Sequence, residues 1–326
     1  MKFMQIEPAV ARGKEHDGIW DDQLWVVEEK YDGDRRIAQF CGPLVRFTGR
    51  RRSVKDGLFV EKTANVPHLS DGAPRKLEGT VLDGEMIFTG ETDSGGKSKY
   101  VTSIMGSLPE EAVAKQTEKG WLTYVVFDCL YYQGKDMREL PLEVRQEYAD
   151  RAIRLWNNSH VMAAEQRHTD KLKFCKQIMA RGGEGVVLKH RMAPYGDKQA
   201  WVKVKGQWTA DVIITGYKDA REISRKSDGT KSETKFSKSG VIGAVEVSQY
   251  DKKTKQLVVV ATISGMTDEE RNEFTRHGDK YRGVVVRLEH NGREPTGRFR
   301  HPRFETPITF RSDKTQRDCV IDMEEK

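Results

Sequence analysis

Short β-branched and aromatic runs alternate with helically spaced stretches over the first two thirds of the chain. Leu24–Glu29, Arg36–Cys41, Thr80–Phe88, Leu122–Tyr132 and Gly185–His190 have strand length and strand composition and predict strands. Leu142–Trp156, with apolar residues at Leu142, Tyr148, Ala152 and Leu155, predicts a helix. Asp170–Met179 predicts a helix with Asp170 as N-cap, spaces Leu172, Cys175 and Ile178 three apart, and stops at Gly182-Gly183. Pro109–Lys119 predicts a third, more exposed helix. From about Gln207 the texture turns to strands, at Asp211–Tyr217, Val241–Ser248, Leu257–Ile263 and Gly283–His290, with one helix over Thr267–His277. Ala220–Gly240, rich in Lys, Ser, Thr and Gly, predicts a long loop.

The pattern predicts an α+β chain of two domains, over 1–206 and 207–326, with the hinge at 205–210. Several strands with one helix in the second domain fit a small OB-type β-barrel. The length, 326 residues, accommodates two domains of ordinary size, and 37% hydrophobic residues suffice for their cores. Lys and Arg outnumber Asp and Glu by 56 to 50, a net charge of +6 that suits a polyanionic partner. No apolar run approaches the about 18 residues that suggest a membrane span, and the start MKFMQIEPAVARGKEHDG has no apolar signal core. Cys41, Cys129, Cys175 and Cys319 lie far apart without a C-x-x-C pair, which argues against a zinc module or disulfide framework. The expectation is a reduced, cytoplasmic protein with no membrane association. Its basic charge is clustered: Arg46, Arg50, Arg51, Arg52 and Lys55 form one acid-free run. Lys280, Arg282, Arg287, Arg293, Arg298, Arg300 and Arg303 form another, interrupted by Glu289 and Glu294. Such runs are either solvated faces or phosphate-binding surfaces.

Two phosphate-binding signatures fail. GETDSGGKS at 90–98 misses a P-loop because Glu91 stands where the first glycine is required, and no G-x-G-x-x-G follows a strand. The segment Glu28-Glu29-Lys30-Tyr31-Asp32-Gly33-Asp34-Arg35 differs, since it places a lysine at the mouth of a strand–turn–strand unit. By itself this is either a salt-bridged hairpin or an amine held to act as a nucleophile. Lys30–Arg35 resembles the KxDGxR motif of covalent nucleotidyltransferases, in the KYDGxR form typical of ATP-dependent DNA ligases. Further family-like motifs follow in order: Phe47-Thr48-Gly49-Arg50, Val81–Glu85, Val126-Phe127-Asp128, Glu184–Lys189 (EGVVLK) and Trp201–Lys205 (WVKVK). Arg300–Phe304 and Arg311–Lys314 resemble the C-terminal motif, so the similarity covers about residues 24–314. Gly49 departs from the usual Ser, and six residues separate Phe304 from Arg311 where about three are usual.

The resemblance implies that Lys30 attacks the α-phosphate of ATP, that AMP passes to a 5′-phosphate at a nick in duplex DNA, and that the 3′-OH displaces it. It implies that Lys203 and Lys205 neutralise the α-phosphate, that Glu184 and Glu85 serve Mg²⁺ or the ribose, and that Phe127 stacks on adenine. Glu28 would read the adenine amino group, and Asp32 would orient the reacting hydroxyl. Arg35 and Arg50 would contact ribose or the nick phosphate, and Arg311, Asp313 and Lys314 the triphosphate. Arg51, Arg52, Arg298, Arg300 and Arg303 are candidate DNA contacts, and a monomer is expected. An mRNA-capping guanylyltransferase, an RNA ligase and a non-enzymatic OB-type nucleic-acid binder stay open as alternatives.

Overall fold

The predicted strands pair into two separate sheets before residue 206 and into further sheets after it. The computed structural model describes residues 3–91, 97–206, 208–225, 231–294 and 296–321. The chain divides into two units, Met1–Lys205 and Gly206–Lys326. In chain order the first unit contains β1 (Trp25–Glu29), β2 (Asp34–Cys41), β3 (Leu44–Arg52), β4 (Phe59–Glu61), α1 (Pro67–Ser70), β5 (Val81–Ile87), α2 (Lys97–Gly106) and α3 (Pro109–Lys119). It continues with β6 (Thr123–Tyr132), β7 (Lys135–Asp136), α4 (Leu142–Trp156), β8 (Val161–Ala163), β9 (Gln166–Arg167), α5 (Lys171–Ala180), β10 (Gly185–His190) and β11 (Trp201–Lys205).

One sheet runs β4-β3-β2-β5-β6-β7, antiparallel throughout, with β8 added parallel to β6. Its core joins Phe40, Phe47, Leu82, Met86 and Tyr124 to Ile104 of α2 and to Ala149, Ala152 and Trp156 of α4. The smaller sheet, β11-β10-β1-β9, packs Val27, Val186, Leu188 and Val202 against Phe174, Cys175 and Ile178 of α5. The fold of this unit is α+β with predominantly antiparallel sheets.

The helix faces differ from the periodicity reading in an instructive way. On α4 the buried residues are Leu142, Arg145, Ala149, Ala152 and Trp156, while Leu155 is exposed. Arg145 turns inward because Asp128 on β6 meets it with both oxygens, at 2.7 and 2.9 Å. On α5 Leu172 is exposed, and Lys171 is buried along its stem with its ammonium on the carbonyl of Asp22. Asp170 precedes α5 in a left-handed conformation and its side chain caps nothing. The strand β3 hides within a run of arginines, because its buried residues are Val45, Phe47, Thr48 and Gly49 while Arg50–Arg52 face outward.

The second unit contains β12 (Trp208–Asp219), β13 (Ile223–Arg225), β14 (Lys231–Glu233), α6 (Lys235–Lys238), β15 (Ile242–Tyr250), β16 (Leu257–Ile263), α7 (Asp268–Tyr281), β17 (Val285–His290) and β18 (Arg303–Phe304). Its main sheet runs β16-β15-β12-β17-β18, all antiparallel. The amide of Phe299 reaches back to the carbonyl of Val260 on β16, at 2.9 Å. Phe274 of α7 lies in the core with Val212, Val247, Val286 and Phe304. Thr267 and Glu270 cap α7 reciprocally, and the helix is kinked at His277, so it runs beyond the predicted end.

Within 220–240, where a long loop is predicted, β13 and β14 pair as a hairpin and α6 follows, capped by Thr234. Polar composition hid these elements because they carry no apolar stripe that a periodicity reading could find. Residues 226–230, including Gly229, lie outside the described residues, as do 92–96 of the failed P-loop segment. The four cysteines are free thiols, and among the described residues no helix is long and apolar enough to cross a membrane.

Candidate functional site around Lys30

Lys30 follows the last residue of β1, and its backbone amide donates to the carbonyl of Gly185 at the start of β10, at 2.9 Å. Register then brings the next residues together, since Gly185 faces Lys205 and Val187 faces Lys203 across the β10–β11 pair. Gly185 has φ +139°, and a Cβ there would lie 2.1 Å from the carbonyl oxygen of Val204. Only glycine allows this approach, which is why a glycine follows Glu184.

The Glu184 carboxylate binds two ammonium groups, directly to Lys30 and at 2.9 Å to Lys205. Burial acts to raise the Glu184 carboxyl, but these two cations prevail and hold it below the ordinary value. Lys203 projects on the same strand face as Lys205. Burial, followed by the charges of Lys30, Arg35, Arg50 and Lys205, lowers its ammonium. Cations from four segments thus converge on the end of the small sheet, an arrangement that attracts a multiply charged anion.

The neighbouring strands supply the acidic and aromatic side. Glu85 faces Arg35 across the β2–β5 pair. Burial pushes its carboxyl up to about 8, although Arg35 and Lys30 both act to lower it. Arg35 forks onto Asp83, with Nε on Oδ1 at 2.9 Å and Nη2 on Oδ2 at 2.5 Å. Phe127 is half-buried beside Trp201, ring centroids 6.2 Å apart, with the Arg35 guanidinium 5.2 Å from its centroid. The Lys189 ammonium lies 4.4 Å from both rings and 2.5 Å from the buried carboxylate of Glu28. Glu28 also accepts from Gln166 at 2.6 Å and Gln146 at 2.9 Å. Burial raises its carboxyl, with Lys189 opposing. Its side chain is therefore committed to internal partners.

Other candidates sit farther out. Asp32 is exposed and accepts from the hydroxyl of Ser98 on α2, at 2.9 Å. Arg50 is exposed on β3, beside Gly49. A Cβ on Gly49 would come within 2.6 Å of an Arg36 nitrogen, so the departure from serine is matched by the arginine of β2 that fills its place. Arg51 and Arg52 are exposed, and Arg52 lies 4.0 Å over the Phe59 ring.

In the second unit the basic run is partly neutralised, by cross-strand acids at Arg287 and Arg303 and by an acid three residues earlier at Arg282. Arg287 lies 3.7 Å from Asp211, Arg282 3.3 Å from Asp279, and Arg303 2.7 Å from Glu289. Arg298 is exposed and Arg300 half-buried. Arg311 is held at 2.8 Å by Asp211 and at 2.7 Å by Asp313, while Lys314 is exposed.

Sequence reasoning missed four groups. Asp83 and Lys189 stand inside motifs quoted for other members, whereas Arg145 and Tyr195 carry no local signal. Tyr195 donates to Asp83 at 2.6 Å, a partner 112 residues away.

The family profile for the ATP dependent DNA ligase domain matches residues 15–205, more than half of the chain. DNA ligase 4 of Emericella nidulans is 27% identical over 222 residues, covering 60% of this chain and 22% of that protein. The chain therefore spans about a fifth of the length of that relative. The SPbeta prophage-derived DNA ligase-like protein LigB of Bacillus subtilis is 25% identical over 297 residues, covering 88% of this chain and 94% of that protein. A Lig E DNA ligase, described in terms of DNA binding with a minimal scaffold, matches in fold with a TM-score of 0.61. It shares 17% identity and covers 94% of this chain and all of that one.

Proposed function

Given that the chain belongs to the ATP-dependent DNA ligase family, we propose that it seals nicks in duplex DNA through a lysyl-AMP intermediate on Lys30. The observation that carries the reading is the Lys30 amine at the mouth of the small sheet, on Glu184 and beside Lys203 and Lys205. In the first step the Lys30 nitrogen, having lost a proton, bonds to the α-phosphorus of ATP as the bond to pyrophosphate breaks. In the second, the nick 5′-phosphate displaces Lys30 from AMP. In the third, the 3′-hydroxyl attacks that phosphate, loses its proton and expels AMP. Lys203 and Lys205 stabilise the negative charge on the transferring phosphoryl group. Phe127 supplies the face on which adenine stacks. Glu28 reads the adenine amino group through its backbone, since its carboxylate is engaged. Arg35 and Arg50 lie toward ribose and nick phosphate, and Asp32 toward the reacting hydroxyl.

The donor set fits Mg²⁺, an oxygen-seeking cation that keeps several of its waters. Among the described residues no cluster of three or more ligating side chains is preformed, but Glu184 and Glu85 flank Lys30. Glu85 stands across the β2–β5 pair from Arg35, and burial raises its carboxyl to about 8 against the pull of Arg35 and Lys30. When bound, the ion would offset charge on the triphosphate; Glu184 and Glu85 would hold it.

We assign 1–206 as the adenylation domain and 207–326 as an OB-fold domain. The five-stranded antiparallel sheet, with Phe299 reaching back to β16, supports the second assignment. In that domain Arg311 acts first as a strut to Asp211, leaving Lys314 as the exposed cation for the triphosphate. Arg51, Arg52, Arg298, Arg300 and Arg303 are assigned to the duplex, and the enzyme acts as a monomer.

Incubation with ATP or GTP labelled at the α-phosphate, followed by a denaturing gel, tests the reading. Label from ATP should stay on the protein and be released by nicked duplex as the nick closes. Label retained from GTP alone would identify a guanylyltransferase and overturn it.

A further inference from the structure

Arg35 is held in a closed ring of hydrogen bonds that reaches outside every recognised motif. Its guanidinium forks onto Asp83, which is fully buried. The Tyr195 hydroxyl donates to the same Asp83 oxygen at 2.6 Å and accepts from the backbone amide of Ala9 at 2.9 Å. The Ala9 carbonyl accepts from Arg35 Nη1 at 2.6 Å, which closes the ring. With its proton given to Asp83, the phenol oxygen accepts from Ala9 and, at 3.4 Å, from Arg35 Nη2 itself.

Ala9 belongs to an extended segment that ties the two sheets of the first unit together. At one end Met4 exchanges two hydrogen bonds with the Gln39 side chain, at 3.0 and 2.6 Å, and Gln5 accepts from the Phe59 amide at 2.6 Å. At the other, Arg12 bonds to Lys198 at 2.8 Å and Gly13 to Trp201 at 3.0 Å. Between these ends Ile6 is buried with Ile37, Val81 and Leu130. The guanidinium so fixed stands 5.2 Å from the Phe127 ring and 5.4 Å from that of Trp201.

We propose that Tyr195 is a positioning residue for Arg35, and that it makes assembly of the nucleotide site depend on docking of the N-terminal segment. This rests on the ligase reading above. Without the hydroxyl, Asp83 keeps the Arg35 fork but loses its third donor, and the Ala9 amide loses its acceptor. The guanidinium then gains freedom beside Phe127, where ATP must bind, while Lys30 and Lys205 are untouched. The effect belongs to ATP capture and not to the attack by Lys30.

Initial rates of self-adenylation against ATP concentration test this in the full chain, with Tyr195→Phe, Arg35→Lys and the double variant. Tyr195→Phe should raise KM for ATP about tenfold, as expected for one lost hydrogen bond to a charged group, with kcat within about threefold. In the Arg35→Lys background, Tyr195→Phe should add nothing, because its effect passes through the fork. An unchanged KM, or an equal rise in both backgrounds, overturns the proposal. Should Tyr195→Phe fail to fold, lactate in place of Ala9 exchanges its amide N–H for an ester oxygen of nearly the same shape and so removes the hydrogen that the phenol accepts, and the same split is expected. A parent protein that forms no adduct with ATP sinks the ligase reading and this inference with it; a parent that does, with Tyr195→Phe unchanged, sinks the inference alone.

Discussion

Lys30 and Glu184, 154 residues apart in the chain, form a direct ion pair where β1 meets β10. The same carboxylate holds Lys205 from β11. One acid therefore keeps two ammonium groups close without neutralising both. Glu184→Gln keeps the shape but removes the charge that draws them together, and should slow self-adenylation by about a hundredfold or more. Lys30→Ala should abolish adenylation and sealing with the fold intact. Mass spectrometry of tryptic peptides checks both, since the AMP increment must fall on the Lys30 peptide.

Lys205→Ala should slow adenylation by about 10²–10³, the typical loss when one preorganised charge is removed at a phosphoryl centre. A control at Lys198, outside the converging cations, should change the rate less than twofold. Single-turnover formation of the labelled adduct distinguishes the two. Equal rates in both variants would make the β11 lysines an ordinary solvated strand face.

The pair of Arg145 and Asp128 is fully buried on both sides, with Arg145 also bonded to the carbonyls of Leu140 and Ala193. Arg145→Met leaves a carboxylate buried without its partner and should cost about 3–5 kcal/mol in urea unfolding. Asp128→Leu combined with Arg145→Met removes both charges and should recover part of that loss. The comparison separates the cost of an orphaned charge from the contribution of the pair.

Burial, followed by the charge of Arg293, lowers the His290 imidazole to about 4, while the hydrogen bond with Gly292 acts to raise it. In the unfolded chain an imidazole titrates near 6.5. Between these values the unfolded state binds more protons, so stability is complete above about 6.5 and declines as pH falls toward 4. Amide protection factors in β12 and β17, taken against the intrinsic exchange rate at each pH, should fall over that interval. His290→Phe, which keeps a ring between Trp208 and Phe299, should flatten the dependence.

Much of the chemistry was legible in the order of residues because catalytic motifs are local. A lysine next to a turn, a glycine where backbones approach, and two lysines on one strand face all leave marks within a few positions. Strand positions were legible where β-branched and aromatic residues run unbroken because both faces are covered, as along β6 and β10. They were obscure in β3, whose arginines mask its buried residues, and in the polar hairpin β13–β14. Glu289, which pairs with Arg303, stands within the second basic run, whereas Asp211 reaches Arg287 only through the β12–β17 register.

What the sequence by itself determined is the family and, through it, the candidate reacting groups, because side-chain identity and short spacing suffice to mark both. Tertiary structure alone decided which of those groups are available. It commits the Glu28 side chain to Lys189, Gln146 and Gln166, forks Arg35 onto Asp83, and turns Arg145 from solvent to Asp128. It also recruits Tyr195 and Ala9, which no motif marks. The physical reason is common to all of these. A buried charge or hydroxyl must find its partner wherever the fold supplies one, and that partner can stand anywhere in the chain.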